Sequence, residues 1–263
     1  MQYMSVKRKD DFVSIVIPVY NAAPFLERTL NSVFGQTFQD WEMILVDDGS
    51  KDESLEVIRT WMDSAVCDKD RIFLLTNETN HGAAYARNIG MRKAVGQYLV
   101  FLDADDYWTP DKLEKQYQFM KEKDCAFSFT GYEFANGEGV RNGKVVHVPE
   151  KISYKEALTN TTISTITVMF DRNKIPEELL LMPENCSRED TATWWQILKN
   201  GYTAYGLDEA LSVYCRHSGS HSANKLKAIF GTYRMYREQE QLGFLQTMVC
   251  MVKYIYRAVK RRL

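Results

Sequence analysis

Four short apolar runs constrain this chain more than any other feature: VSIVIPV (13–19), WEMILV (41–46), RIFLLT (71–76) and QYLVFL (97–102). They are rich in Val, Ile, Leu and Phe and lack polar alternation, the pattern of strands buried on both faces. Segments with helical spacing lie between them. Residues 24–34 set Phe25, Leu26, Leu30, Val33 and Phe34 on one face. Residues 52–62 do so with Leu55, Val57, Ile58 and Met62, and 83–94 with Ala83, Ala86, Ile89, Gly90 and Ala94. Strand and helix in alternation predict βαβ units with right-handed crossovers. The expected class is α/β, a Rossmann-like, mainly parallel sheet flanked by helices.

The second half is less regular. CAFSFTGYEF (125–134) and KVVHV (144–148) alternate like half-exposed strands around a loop, ANGEGVRNG. ISTITVMF (163–170) predicts another strand, and residues 190–199 a helix. From about Asn224 two helical segments follow, hinged near Leu242–Gly243. The expected organisation is one α/β unit over 1–223, with a nucleotide-binding half (1–110) and an acceptor half (111–223). A C-terminal helical tail occupies 224–263.

Composition removes several function classes. A net charge of −2 over 263 residues offers no excess of positive charge to a phosphate backbone, so no nucleic acid is expected as partner. Five scattered cysteines without a C-x-x-C pair read as reduced thiols, not as a disulfide frame or zinc site. No apolar stretch suits a signal peptide or approaches the roughly 20 residues of a membrane span. The expected location is cytoplasmic, at most peripheral on the inner face of the cell membrane.

Ligands of open parallel sheets bind outside the carboxyl ends of the strands. Here the first strand runs into Pro18, Val19, Tyr20 and Asn21, the second into Asp47, Asp48, Gly49 and Ser50, and the fourth into Asp103, Ala104, Asp105 and Asp106. Crowded carboxylates repel one another and resist burial, so the FLDADDYW stretch (101–108) calls for a positive partner. Alternation in an extended segment predicts Asp103 and Asp105 pointing the same way. Asp106 reads either as support for them or as a helix cap; Asp52 and Thr109 read as turn and cap residues and Asp47 as a turn former. Tyr20, just past a strand, suits stacking on a flat base, and Asp48 suits accepting from an imide N–H or a ribose hydroxyl. Gly82 permits close backbone approach at a helix N-terminus aimed at an anion. Arg87 has two readings, a phosphate partner or a structural ion pair with an aspartate. Taken alone, Asp190 reads as a helix cap, and His217 and His221, spaced i, i+4 in a Ser/Gly-rich segment, are weak evidence for a metal pair.

The motifs VSIVIPVYN, LNSVFGQTF, ILVDDGSKDES, NHGAAYARNIGM and YLVFLDADDYW occur in the order and spacing of family 2 glycosyltransferases, which this chain resembles over residues 12–110. SRED (187–190) and YCRHSGSHS (214–222) resemble later motifs of that family. The resemblance implies a GT-A fold, a nucleotide-sugar donor, Mn²⁺ or Mg²⁺ and inversion at the anomeric carbon. It implies Asp105 as direct metal ligand, with Asp103 nearer the ribose and metal-bound water. Pro18 and Tyr20 fall beside the uracil, Asp48 at the base or ribose, and Asn21, Gly82, Arg87 and Asn88 among the residues that bind the nucleotide-sugar. His217 falls on a loop that closes over the diphosphate. Asp190 takes the place of the catalytic base and Glu189 that of a helper in the acceptor site. The metal agrees with simple electrostatics, because a departing diphosphate needs its charge neutralised.

The expected activity is thus transfer of a sugar from a UDP-sugar to a hydroxyl of a lipid-linked or oligosaccharide acceptor, in cell-surface polysaccharide synthesis. A sugar nucleotidyltransferase is the alternative enzyme, opposed by the lack of a Gly-rich, basic loop after the first strand. A non-catalytic nucleotide-sugar binding protein is the alternative outside catalysis. In the tail, Leu245, Met248, Val249, Val252, Ile255, Tyr256 and Val259 form a stripe, with Lys253, Arg257, Lys260 and Arg261 off it. A basic amphipathic helix of this kind (242–263) lies on an anionic membrane surface or packs on the protein; both readings stand.

Overall fold

The computed structural model describes residues 8–64, 69–160, 162–186, 188–217 and 225–260. Cys67, Ser187, His221 and Arg261, and the side chains of Val259 and Lys260, lie outside the described residues. The first half follows the expected alternation: β1 (Lys9–Val19), α1 (Ala23–Phe34), β2 (Trp41–Asp47), α2 (Ser54–Ser64), β3 (Ile72–Thr76), α3 (Ala83–Lys93) and β4 (Gly96–Phe101). Then come β5 (Tyr107–Trp108), α4 (Lys112–Lys123), β6 (Phe127–Asn136), β7 (Arg141–Val146), β8 (Lys151–Ile152), α5 (Tyr154–Ala157) and β9 (Val168–Asp171). The chain continues through α6 (Glu177–Leu180), α7 (Glu189–Lys199), β10 (Ala204–Arg216), α8 (Lys225–Arg234) and α9 (Phe244–Lys260). A π-helical turn, Met235–Gln239, prolongs α8.

These strands form one sheet in the order β3-β2-β1-β4-β9-β6-β10-β5, with β7 on β6 and β8 on β10. The four strands of the first half are parallel, as expected. Beyond β4 the sheet is mixed: β9 runs antiparallel to β4 and β6, while β10 returns parallel to β6. "Mainly parallel" therefore holds for the first half only.

Alternation along the strands feeds two apolar layers, giving a helix–sheet–helix sandwich. Ile15, Ile17, Met43, Leu45, Val100 and Leu102 meet Leu26 and Leu30 of α1, Ile58 of α2, and Leu113 of α4. Val16, Ile44, Val46, Leu99 and Phe101 face the other way, in the layer containing α3, α7 and α9. Gly90 is needed for this second layer, because a Cβ there would lie 2.4 Å from Val16 Cγ1. The small residues of α3 thus let it lie close on β1 and β2 and carry Arg87 to the sheet edge.

Two expectations are corrected, and the inward side of the tail helix, left open by the sequence, is seen. β6 is buried along most of its length, because β9 and β10 flank it and helices cover it. The stretch 163–170 becomes a strand only from Val168, residues 165–167 being a 3-10 turn. The predicted tail stripe is not the core face of α9. Thr247, Cys250, Met251 and Tyr254 pack inward, while Leu245, Val249, Val252, Ile255 and Tyr256 remain exposed. The tail therefore both packs on the domain and presents an apolar face to solvent. Among the described residues, no helix is long and apolar enough to cross a membrane.

Candidate active site

Register brings the loaded segments to one edge. Val19 pairs with Asp47, and Asp47 with Thr76, so β1, β2 and β3 end level with one another. The Asp103–Asp106 segment follows β4 at the same edge. It is a turn, closed by Asp106 N–H donating to the Asp103 carbonyl at 3.1 Å, and not the extended stretch that alternation predicts. Its three carboxylates consequently separate onto three partners.

Asp103 Oδ1 accepts from Arg87 Nη2 at 2.6 Å, and the same guanidinium donates through Nη1 to Glu189 Oε1 at 2.9 Å. Arg87 is buried. Burial alone would lower its pKa, but the charges of Asp103, Glu189 and Asp190 outweigh this and raise it. The ion pair of the two sequence readings is formed, with Asp103 and Glu189; the phosphate reading is left open. Asp105 Oδ2 lies 2.8 Å from His217 Nε2, whose ring stacks on Phe25 with centroids 4.6 Å apart. Burial and then the Asp103 charge push the Asp105 carboxyl up, against the lowering contact with His217. Asp106 is buried and accepts from the Cys215 N–H of β10 at 2.7 Å. It braces β10 and caps no helix. Burial, then Asp105 and Asp103, raise its pKa well above the usual range.

On the base side, Tyr20 is 47% exposed beyond β1, and Pro18 is half-buried near the strand end. Asn21, at a positive φ of 50°, accepts from Lys51 N–H at 2.7 Å and donates its own N–H to Ser50 Oγ at 3.0 Å. It ties the two strand-end loops together. Asp48 is buried, and its oxygens accept from Asn77 Nδ2 and from the N–H groups of His81 and Gly82, at 2.7–2.8 Å. Its carboxylate, expected to reach toward a base or ribose, is engaged with the loop that precedes α3. Gly82, at φ 98°, is the N-cap of α3, and a Cβ there would meet open space. Asn88 is buried away from the crevice, paired with the backbone of Met182 at 2.8 and 2.9 Å. It fastens the loop that leads into α7. Asp52 is the turn residue expected, accepting from Ser54 and from Ala23 N–H.

Glu189 and Asp190 open α7, where Glu189 meets Arg87 of α3. Asp190 is the second helical residue, after the N-cap Arg188, so the capping alternative fails. Its Oδ2 accepts from Thr165 Oγ1 at 3.0 Å and its Oδ1 from Thr191 N–H at 2.6 Å. Burial and the neighbouring Asp190 raise the Glu189 pKa, while Arg87 opposes them.

Three residues of the site were not expected from sequence. Arg28 of α1 donates to the Asp105 carbonyl at 2.9 Å and to the Gly137 carbonyl at 3.3 Å. Thr165 orients Asp190, and Asn77 holds Asp48. Each contact spans 25 residues or more, and no local pattern marks such a partner.

The chain matches the description Glycosyl transferase family 2 over residues 14–175. It is 44% identical over 251 residues to a Bacillus subtilis (strain 168) protein named as the teichuronic acid biosynthesis glycosyltransferase TuaG, covering 95% of this chain and 97% of the relative. It is 35% identical over 252 residues to the Escherichia coli UDP-Glc:alpha-D-GlcNAc-diphosphoundecaprenol beta-1,3-glucosyltransferase WfgD, with 94% and 92% covered. Among solved structures it resembles the mannosyltransferase PcManGT of Pyrobaculum calidifontis in complex with GDP-Man and Mn²⁺. That likeness has a TM-score of 0.70 at 20% identity, over 88% of this chain and 64% of the other, and shows the fold. The conjunction of sheet order, edge carboxylates and family match has one meaning: this chain belongs to glycosyl transferase family 2 and has the GT-A fold.

Proposed function

We propose that this glycosyltransferase moves a sugar, with inversion, from a UDP-sugar to a hydroxyl of a lipid-linked oligosaccharide at the inner face of a cell membrane. The observation that carries the reading is the buried Arg87, which joins Asp103 of the donor half to Glu189 of the acceptor half. A donor over the 103–106 turn would then lie beside an acceptor over the first turn of α7. The named substrates of WfgD support this choice of donor and acceptor.

Asp190 is the base. It takes the proton of the acceptor hydroxyl as that oxygen attacks the anomeric carbon, and UDP leaves on the opposite side. Single in-line displacement inverts the centre. Glu189, held by Arg87, lines the acceptor site. Tyr20 stacks on the uracil beside Pro18. Asn21 and Asp48 fix the loops around the base, and the first turn of α3, beyond the Gly82 N–H that Asp48 accepts, faces the diphosphate. Asn88 serves from behind, by holding the 182 loop.

The donor set fits a hard divalent cation, Mn²⁺ or Mg²⁺. Asp105 and His217 present an oxygen and a nitrogen 2.8 Å apart at the raised, repelled end of the turn. Asp103 stands next to them with one oxygen on Arg87. Among the described residues no group of three His, Cys, Asp or Glu ligands gathers, so phosphate oxygens and water would have to supply the remaining ligands. When bound, it would neutralise the charge of the departing diphosphate. Transfer from UDP-glucose or UDP-GlcNAc to a short-chain lipid bearing α-D-GlcNAc diphosphate tests the reading. Product should form with Mn²⁺ and vanish in Asp105→Ala while the melting temperature holds. Undiminished activity in that variant or in excess chelator refutes the metal, and no product from either donor refutes the substrate class.

The outer face of α9 serves as a lipid contact. Leu245, Val249, Val252, Ile255 and Tyr256 are exposed together, with Lys253 beside them. Each buried apolar side chain contributes roughly 1.5–3 kcal/mol before ordering costs. The full chain should co-sediment with anionic but not neutral vesicles, less so in high salt; no binding at low salt removes this role.

A further inference from the structure

Arg188 immediately precedes the Glu189–Asp190 pair and is the N-cap of α7, with φ −140° and ψ 57°. Its carbonyl accepts from Ala192 N–H at 3.0 Å, so its backbone starts the helix on which the base stands. Its side chain turns the other way. Nη1 donates to Thr232 Oγ1 of α8 at 3.0 Å and to Tyr254 Oη of α9 at 3.0 Å. Burial disfavours the Arg188 charge, but Asp190 and then Tyr254 outweigh it and raise the pKa. The two arginines near the carboxylate pair thus differ in reach. Arg87 of α3 draws Glu189 toward the donor, and Arg188 roots the start of α7 in the C-terminal helices.

We propose that Arg188 is a positioning residue and that its link to Thr232 and Tyr254 makes the C-terminal helices part of the catalytic apparatus. This rests on the reading of Asp190 as base. The N-cap is the pivot of the first turn, and a guanidinium with two fixed acceptors leaves that pivot little freedom. Without them, α7 begins less sharply, and Asp190 loses its bearing on the acceptor hydroxyl. Reactions of this kind are sensitive to small misplacement: about 1 Å can cost on the order of 100-fold in rate. The donor crevice, built by other elements, should not notice. The same helices carry the exposed apolar face of α9, so a surface that seats α9 also steadies the base.

The double variant Thr232→Val, Tyr254→Phe removes both acceptors with little change of volume. Thr159→Val is the control: it removes the acceptor of Arg257 Nη1 (2.7 Å), a polar tie of the same helix α9 away from the start of α7. Three quantities are measured in each: kcat with UDP-glucose or UDP-GlcNAc and the α-D-GlcNAc diphosphate lipid, Kd for the donor, and hydrogen exchange of residues 184–192 without substrates. In the double variant kcat should fall about 10- to 100-fold with donor Kd unchanged, and exchange at 184–192 should quicken. The control should keep kcat within about twofold and leave that exchange unaltered. The proposal is overturned if the double variant matches the parent in kcat and exchange, or if donor Kd weakens in step with kcat. If the parent turns over neither donor, the functional reading fails instead, and exchange at 184–192 still decides whether the tail holds the pivot.

Discussion

The donor half and the acceptor half of this molecule solve the same electrostatic problem differently. In the donor half the carboxylates are neighbours in sequence, crowded into the 103–106 turn, and their partners come from other elements: Arg87 from α3 and His217 from the end of β10. In the acceptor half, Glu189 and Asp190 share one helical turn, with Glu189 paired to Arg87 and Asp190 accepting from Thr165. Neither half is electrostatically complete alone. Arg87 serves both, and the comparison teaches that the crevice is assembled around one shared buried cation.

Removing that cation should give the largest effect. Arg87→Met leaves Asp103 and Glu189 unpaired in a partly buried site, and breaking such a pair costs about 3–5 kcal/mol. Urea denaturation should show this, together with loss of transfer. A loss of stability below about 1 kcal/mol would mean that the halves are held independently.

Asp190→Asn probes the acceptor half alone. The amide is nearly isosteric but cannot take a proton, so transfer should fall at least about 100-fold while donor binding, read by calorimetry, stays intact. Transfer within a few-fold of the parent would pass the role of base to Glu189.

Tyr20→Ala probes the donor half alone. Stacking of a base on an aromatic ring is worth about 1–3 kcal/mol, so UDP affinity should weaken roughly 5- to 150-fold with stability unchanged. Unaltered affinity would move the base elsewhere.

The smallest effect lies in the seam between the halves. Lys112 of α4 is fully buried, with Nζ 4.0 Å from the Trp108 ring centroid and no hydrogen-bond partner among the described residues. Burial lowers its pKa well below the ordinary 10.5, so between the folded value and 10.5 the unfolded chain holds a proton that the folded chain gives up. Stability from this group should rise with pH up to about 10.5 and be lost toward acid. Lys112→Met should stabilise the protein by about 1 kcal/mol near neutrality and flatten that slope. A destabilised variant would show that the amine has a partner.

Much of the donor half was legible because its signals are local. Unbroken apolar runs mark doubly buried strands, and the acidic clusters sit where those strands end. The acceptor half hides its elements. α4 places Lys112 and Gln116 at buried positions, so its apolar stripe is broken and the helix has no counterpart in the sequence reading. β10, thirteen residues long, carries Asp208 and Glu209 where its register with β6 shifts, which interrupts any strand pattern. In the tail the apolar stripe was visible, but which side of α9 packs inward was not.

The sequence by itself determined the βαβ order and the placing of acidic clusters at the strand ends, since both depend on neighbours along the chain. Only the tertiary structure decided which charge meets which. Asp103 and Asp105, two residues apart, are claimed by α3 and β10, because the 103–106 segment is a turn and not a strand. Asp48 and Asn88, which read as ligand contacts, are committed to the 77–82 and 182 loops. A buried polar group must find partners wherever the fold supplies them, and that supply is set by packing across the sheet edge, not by spacing along the chain.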